Sequence, residues 1–223
     1  MRFLQHVLAA ISLSVVALTA GATPANPQNG VDYLTLDKPQ QTDSGKKIEV
    51  TEFFSYACPH CSAFEPVLEA WVKKQGEAIV FKRVPVGFHR QWVPLQKLYF
   101  ALEAMNKTAE LQQKVFHAIH EERQQLFTDS DVADFVAKNG IDRKKFLDVY
   151  NSFSVQAKVN RAQQLLAAYG IDGVPTVAID GRFITSPSIV GAALRNQPES
   201  ALMGATAQVM DWLVAKVAKE HKK

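Results

Sequence analysis

The stretch KIEVTEFFSYACPHCSAF, residues 47–64, changes from strand-like to helix-like sequence at a pair of cysteines. Its first ten residues, Lys47 to Tyr56, are rich in β-branched and aromatic side chains, which predicts a strand. A proline follows the first cysteine, in a position where a helix loses nothing because its first N–H groups are unpaired anyway. The sequence therefore predicts a strand that leads into a helix beginning at Cys58-Pro59-His60-Cys61.

A second strand-like run, IVFKRVPV at residues 79–86, follows this helix. Two strands joined by a helix form a β-α-β unit, in which the strands pair in parallel. The two cysteines are then expected at the carboxyl edge of the first strand. Pro66 lies inside the helical pattern and is expected to kink the helix.

The rest of the chain divides into a helical part and a second strand-rich part. Apolar residues recur at helical spacing between residues 88 and 170, and Thr128 and Asp142 are suitable helix caps. Strand character returns at Pro175, and Asp180-Gly181 predicts a tight hairpin. An irregular connection is expected over residues 186–200, before a final amphipathic helix.

The first 22 residues have the features of a secretory signal peptide: Arg2, an apolar stretch, and the small residues Ala20-Gly21-Ala22. A membrane anchor is the alternative, although the apolar stretch is short for a bilayer. Export to a compartment that permits disulfides, such as the periplasm, is therefore expected. The formal charge is only +3 and the two signs are interleaved, so neither nucleic acid nor an anionic membrane surface is implied as a partner.

Cys58 and Cys61 are the only cysteines in the chain, and a disulfide between them would close a loop of four residues. So short a loop removes little entropy from the unfolded chain, which makes stabilisation a poor explanation and redox chemistry the first hypothesis. The attacking species is a thiolate, which the N–H groups and the dipole of a helix N-terminus stabilise. Cys58 is expected there, with Cys61 more buried. His60 would favour thiolate over disulfide, which is typical of a disulfide donor.

Two further pairs of residues are candidates for the site. Val174-Pro175 could form a cis-proline loop that stands against the dithiol and pairs with an extended substrate, although the bare dipeptide favours the trans form. Glu52 alternates with apolar core positions on its strand, and Lys82 does so on the next strand. They are expected either to form a buried pair that exchanges protons with Cys61, or to face water at an edge.

Two other functions use the same residues. A zinc site would join both cysteines to His117 and His120, but H-x-x-H is shorter than the usual spacing and lies far downstream. A peptide-binding module with an incidental disulfide would keep its activity after both cysteines were replaced. No metal or other cofactor is expected.

The chain resembles the DsbA family of bacterial periplasmic thiol:disulfide oxidoreductases in three features. These are C-P-H-C after an E-F-F strand, a helical segment, and V-P before a D-G hairpin. The resemblance extends from about Tyr33 to the end of the chain. It implies an α/β, thioredoxin-like fold with an inserted all-helical domain. On this basis the predicted divisions are a signal peptide (1–22), the first part of the thioredoxin-like domain (23–87), the helical insert (88–170) and the second part (171–223).

The resemblance also implies roles for the residues and partners for the protein. Cys58 would be the acidic nucleophile, Cys61 the resolving cysteine, His60 the tuning residue within the Pro59-containing motif, and Pro175 the cis-proline. Glu52 and Lys82 match the family's buried acid and neighbouring lysine. The expected partners are unfolded exported proteins with free thiols and a quinone-linked membrane oxidase resembling DsbB.

A disulfide reductase or isomerase is the alternative within the same chemistry. Related isomerases carry a separate dimerisation domain, for which the residues before Lys47 are too few. Their cis-proline usually follows threonine, whereas this chain has Val174. Both features favour a monomeric oxidant.

Overall fold

The computed structural model describes residues 26–222, so the predicted signal peptide lies outside the described residues. The described chain contains five strands: β1 (Leu34–Thr35), β2 (Ile48–Phe54), β3 (Ile79–Pro85), β4 (Thr176–Ile179) and β5 (Phe183–Thr185). They form one sheet in the order β1-β5-β4-β2-β3. β2 and β3 are parallel, as predicted, and the other neighbours are antiparallel.

The α-helices of the same region fall into three groups along the chain. Their bounds are α1 (Pro59–Gln75), α2 (Val93–Ala104), α3 (Thr108–His120), α4 (Asp129–Lys138), α5 (Arg143–Tyr150), α6 (Phe153–Ala168), α7 (Pro187–Ala193) and α8 (Glu199–Glu220). α1 connects β2 to β3, α2 to α6 form the predicted helical insert, and α7 and α8 follow the sheet. Among residues 26–222, no helix combines the length and apolarity needed to cross a bilayer.

The β-α-β unit forms where the sequence predicts it. All seven residues of β2 are buried: five are apolar or β-branched, and the other two are Glu49 and Glu52. α1 begins at Pro59, with Cys58 as its N-cap, and continues through Pro66 without ending there. The carboxyl end of β2 therefore delivers the chain directly to the start of α1.

Side-chain caps fix the starts of the inserted helices. The Thr128 hydroxyl accepts the Asp131 N–H at 3.1 Å, and the Asp131 carboxylate accepts the Thr128 N–H at 3.2 Å. The Asp142 carboxylate accepts the N–H of Lys145 at 2.8 Å at the start of α5. Both predicted helix starts are confirmed, because a capping side chain replaces a missing backbone partner in each case.

The predicted Asp180-Gly181 hairpin is also confirmed. Ile179 pairs with Phe183, and the two turn residues have φ angles of +56° and +63°. The expectation of an irregular connection over 186–200 is wrong for its first half, which forms α7. Ser186 caps this helix by accepting the Ile189 N–H at 3.1 Å. The helix is too short to show a clear apolar period, so only its cap could have indicated it.

Two apolar clusters make up the core. One joins α2 to α6 to the carboxyl ends of β2 and β3 and includes Phe53, Phe54 and both cysteines. The other packs α1 and α8 against the opposite part of the sheet, around residues such as Leu68 and Leu213. The dithiol therefore lies in the packing between the sheet and the helical insert.

Candidate functional site: the dithiol at the start of the first helix

Cys58 occupies the N-cap position of α1, where its side chain meets unpaired backbone donors. Its Sγ accepts the N–H of Cys61 at 3.3 Å. The pKa of Cys58 is lowered to about 7, chiefly by a hydrogen bond from the Cys61 side chain. The N–H groups of Cys61 and His60 and the charge of His60 lower it further, while burial opposes the shift. Cys58 therefore holds a thiolate near neutral pH more readily than an ordinary cysteine.

Cys61 lies one turn into the helix and has no exposed surface, compared with 7% for Cys58. Burial raises its pKa well above the ordinary value, and the neighbouring Cys58 and Glu52 raise it further. The two sulfurs thus have opposite preferences: Cys58 favours the thiolate and Cys61 favours the thiol. This is the order expected for an attacking and a resolving cysteine.

His60 projects from the first turn of α1 and contacts a residue that sequence reasoning missed. Its Nδ1 lies 2.5 Å from Oε1 of Glu199, the first residue of α8. This hydrogen bond is the main cause of a raised pKa for His60. The two residues are 139 positions apart, and no sequence pattern links them.

The Val174-Pro175 peptide bond is cis, as the resemblance implies. It stands directly against the dithiol, because the Cys58 thiol donates to the Val174 carbonyl at 3.3 Å. Pro175 begins the approach to β4 and is buried. The sequence could identify this loop only through the family resemblance, since the dipeptide alone favours the trans form.

A groove of about 320 Å³ adjoins the dithiol. Its lining includes His60, Val174, Pro175, Pro187, Glu199 and Leu202. A larger cavity of about 700 Å³ lies between α1, β3 and the insert, and it includes neither cysteine. The smaller groove is the candidate binding surface, because it is the one that contains the neighbours of Cys58.

Beneath the dithiol lies a buried charge cluster formed by Glu52, Arg83 and Glu65. Arg83 donates through Nε to Glu52 Oε2 at 2.8 Å and through Nη2 to Glu65 Oε1 at 2.7 Å. Burial raises the pKa of Glu52 and raises that of Glu65 to about 8, and Arg83 opposes both shifts. Two carboxyl groups therefore share one cation, an arrangement that retains a proton near neutral pH.

The predicted Glu52–Lys82 pair is wrong. In the parallel register Glu52 lies opposite Arg83, so Lys82 points to the other face of the sheet. There its Nζ lies 2.8 Å from Glu49 Oε2 and also contacts Asp43. The prediction of a buried Glu52 is confirmed, but alternation along each strand could not reveal which residues of neighbouring strands share a face.

His117 and His120 do not join the cysteines. His120 Nε2 lies 2.8 Å from the Tyr56 carbonyl, and its ring stacks on Phe116. His117 lies 3.4 Å from Glu122 at the surface. Within the described residues, no group of three or more histidine, cysteine or acidic side chains is arranged to hold a metal.

Comparison with known proteins places this geometry in a family. The model of the DSBA-like thioredoxin domain matches residues 49–202, which include the dithiol. The thiol:disulfide interchange protein DsbA of Burkholderia cepacia is 45% identical over 208 residues, covering 93% of each chain. The corresponding protein of Pseudomonas aeruginosa is 33% identical over 221 residues, covering 99% of this chain and 100% of that protein.

The solved structures agree with the sequence comparison. The crystal structure of Pseudomonas aeruginosa DsbA superposes with a TM-score of 0.79 at 34% identity, covering 87% of this chain and 96% of that one. The predicted thioredoxin-like fold with a helical insertion is thereby confirmed. Since the likeness spans almost the whole of both chains and includes the dithiol, this chain belongs to the DsbA family and is a thiol:disulfide oxidoreductase.

Proposed function

We propose that the protein donates its Cys58–Cys61 disulfide to the thiols of newly exported proteins in the periplasm. The observation that carries this proposal is the contrast between the two sulfurs, with a lowered pKa at Cys58 and a raised pKa at Cys61. An electron pair left on Cys58 is stabilised, so the reduced form is favoured relative to the disulfide. A dithiol with this preference is an oxidant of other thiols.

In the first step, a client thiolate attacks Sγ of Cys58. The Cys58–Cys61 bond breaks, a mixed disulfide forms between the client and Cys58, and the electron pair moves to the Cys61 sulfur. The high pKa of Cys61 favours its uptake of a proton, so that it leaves as a thiol. The buried position of Cys61 keeps it away from bulky clients.

In the second step, another client thiolate attacks the client sulfur of the mixed disulfide. Cys58 leaves as a thiolate, which the helix N-terminus and the N–H of Cys61 stabilise. The client gains one disulfide, and the protein gains two electrons and becomes the dithiol. A leaving group of lower pKa departs faster, so the same feature that makes the disulfide reactive also speeds release.

Glu52 is proposed to tune the proton affinity of Cys61. Its buried charge raises the pKa of Cys61, and its carboxyl is held by Arg83. The proton needed by the departing Cys61 sulfur can be retained in the cluster with Glu65, whose pKa is about 8. Lys82 has no part in this proposal, because it lies on the opposite face of the sheet.

Client contacts are assigned to the cis-proline loop and the groove beside it. An extended client segment next to the attacked sulfur would pair with the backbone at Val174 and Pro175. The groove offers apolar surface from Pro187 and Leu202 with few directional groups. Such a surface suits unfolded chains of varied sequence better than one defined ligand.

The proposed function also implies a cell compartment and a partner that reoxidises the dithiol. Residues 1–22 have the composition of an export signal, and a disulfide donor needs an oxidising compartment. We assign reoxidation of the dithiol to a quinone-linked membrane oxidase resembling DsbB, with two electrons passing to the quinone. We also propose that the protein acts as a monomer.

The direct test is to equilibrate the purified protein with glutathione buffers and measure the reduced fraction. We expect a potential well above the roughly −270 mV of thioredoxin. A potential near that value would reject the donor assignment in favour of a reductase. Reoxidation is tested separately, by adding membranes that contain a quinone-linked oxidase and following recovery of the disulfide.

Cysteine variants then assign the two sulfurs. With a reduced, unfolded secreted protein as client, Cys61→Ser should accumulate the mixed disulfide and Cys58→Ser should form none. If Cys58→Ser oxidised the client as fast as wild type, the dithiol would not be the reactive group. A peptide-binding module would retain full activity in both variants.

A further inference from the structure

Glu199 links the last helix to the catalytic motif. Its Oε1 lies 2.5 Å from Nδ1 of His60, and both residues line the groove beside Val174 and Pro175. The pair is solvent-accessible, with side-chain exposures of 49% for Glu199 and 65% for His60. Glu199 makes no hydrogen bond to either cysteine, so its influence on the sulfurs passes through the imidazole.

We propose that Glu199 is a positioning residue that sets the oxidising power of the dithiol by holding His60 as an imidazolium beside Cys58. This inference rests on the proposed function and refines it. It assigns to α8, far from the motif in sequence, a part in the redox chemistry of α1.

The sign of the effect follows from the order of the charges. His60 lies two residues from Cys58 at the same helix end, and its positive charge favours the Cys58 thiolate. The Glu199 carboxylate comes from α8 and contacts the imidazole ring. Within the His60–Glu199 pair, the positively charged imidazolium is therefore closer to the Cys58 thiolate than the negatively charged carboxylate is. Glu199 therefore stabilises the thiolate indirectly, by stabilising the charged ring.

Few other charged groups near His60 could change its protonation. The titratable groups that face His60 are Cys58, from its own helix terminus, and Glu199, from α8. The polar side chains that share the groove, Ser188 and Gln197, do not titrate. An ordinary histidine has a pKa near 6.5 and is mostly neutral at pH 7. The contact with Glu199 extends the protonated form of His60 to higher pH.

The redox step balances without any further group. Two glutathione thiols become one glutathione disulfide, and the Cys58–Cys61 bond is broken by the two electrons they supply. One electron pair remains on Cys58 as the thiolate beside the imidazolium, Cys61 takes one of the two protons that the glutathione thiols lose, and the other proton is released to the buffer. Stabilising that thiolate raises the equilibrium constant for reduction of the protein by glutathione.

The test compares Glu199→Gln with wild type in glutathione buffers at pH 7 and pH 5. At pH 7 the constant should fall by about two- to five-fold, the range expected for an accessible ion pair. At pH 5 the reduced Cys58 is mostly a thiol and His60 is protonated in both proteins, so the deficit should disappear. In parallel, the imidazole resonances of His60 should titrate at lower pH in the variant.

Two controls separate this role from a merely structural one. In a His60→Ala background, adding Glu199→Gln should cause no further loss, because the carboxylate then has no ring to hold. Glu110→Gln removes an accessible carboxylate paired with Lys107, away from the dithiol, and should leave the constant unchanged.

The outcomes are distinct. An unchanged constant at pH 7, an equal deficit at both pH values, or a full effect in the His60→Ala background would each overturn the role of Glu199. In these cases a strongly oxidising wild type would leave the proposed function intact. A wild-type protein that failed to oxidise glutathione would instead reject the proposed function itself.

Discussion

The Nε atom of Arg83 donates to Oε2 of Glu52 at 2.8 Å, on the face of the sheet that carries the catalytic helix. Arg83 has 13% of its side chain exposed and Glu52 none. The charge of Glu52 raises the pKa of Cys61, so the acid is coupled to the dithiol as well as to the arginine.

Glu52→Gln is therefore expected to change the pH dependence of disulfide exchange. Loss of the carboxylate lowers the pKa of Cys61, and the alkaline limb of the rate profile should move to lower pH by on the order of one unit. The rate of exchange with glutathione, followed across pH, measures this. Glu49→Gln is the matched control, because Glu49 is also a buried carboxylate of β2, with 6% exposed against none for Glu52, but lies on the other face and pairs with Lys82. Equal shifts in both variants would contradict the assignment.

Glu65 should make the folded state less stable as the pH rises. Its pKa is about 8 when folded, above its ordinary value of 4.5, so the folded protein binds the extra proton between these values. Its contribution to stability is present below pH 4.5 and is lost as the pH approaches 8. The slope is at most about 1.4 kcal/mol per pH unit for one proton. Denaturant melts at several pH values should show a weaker decline for Glu65→Gln, and an identical decline would count against the buried proton.

The Cys58 thiol should titrate with a pKa of about 7 in the reduced protein, measured by the ultraviolet absorbance of the thiolate. The ordinary value is 9.0, so the unfolded chain binds more protons between pH 7 and pH 9. The stability contributed by Cys58 is complete above pH 9 and is lost as the pH falls through 7. The free energy of unfolding of the reduced wild type, minus that of Cys58→Ser, should therefore rise from pH 7 to pH 9. A flat difference would show that the thiol is not acidic.

Gly181→Ala should destabilise the hairpin by more than its backbone angle alone requires. A Cβ atom there would lie 2.1 Å from the Gln40 carbonyl oxygen, and the φ angle is +63°. Gly140→Ala is the control, since its φ is +85° and nothing lies within 4 Å of the added atom. The left-handed conformation costs roughly 1–2 kcal/mol at both sites, and overpacking adds about 1–3 kcal/mol at Gly181 alone. Equal losses in thermal or denaturant melts would show that the Gln40 segment can move aside.

Local patterns in the sequence predicted most of the architecture. The β-branched run before the cysteines, the proline after Cys58, the caps at Thr128 and Asp142, and the Asp180-Gly181 turn each depend on neighbouring residues. Their structures are confirmed because local hydrogen bonds and backbone preferences decide them.

The contacts around the dithiol could not be predicted in the same way. The partner of Glu52 depends on the register between β2 and β3, which alternation within one strand does not specify. The partner of His60 depends on where α8 begins relative to α1. Val174 and Cys58 are 116 residues apart in the sequence, so no local pattern indicates their contact. Only the family resemblance predicts that Val174-Pro175 lies against the dithiol.

The residue two positions before Cys58 is held by the helical insert on both sides. The Tyr56 hydroxyl donates to Gln112 at 2.5 Å, and the Tyr56 carbonyl contacts His120 at 2.8 Å, with both partners on α3. The helical insert therefore supports the reactive centre directly, through the contacts of α3 with Tyr56. A shortened enzyme made by excising residues 88–170 would lose the support of its own catalytic loop, so a minimal version of this catalyst must retain α3.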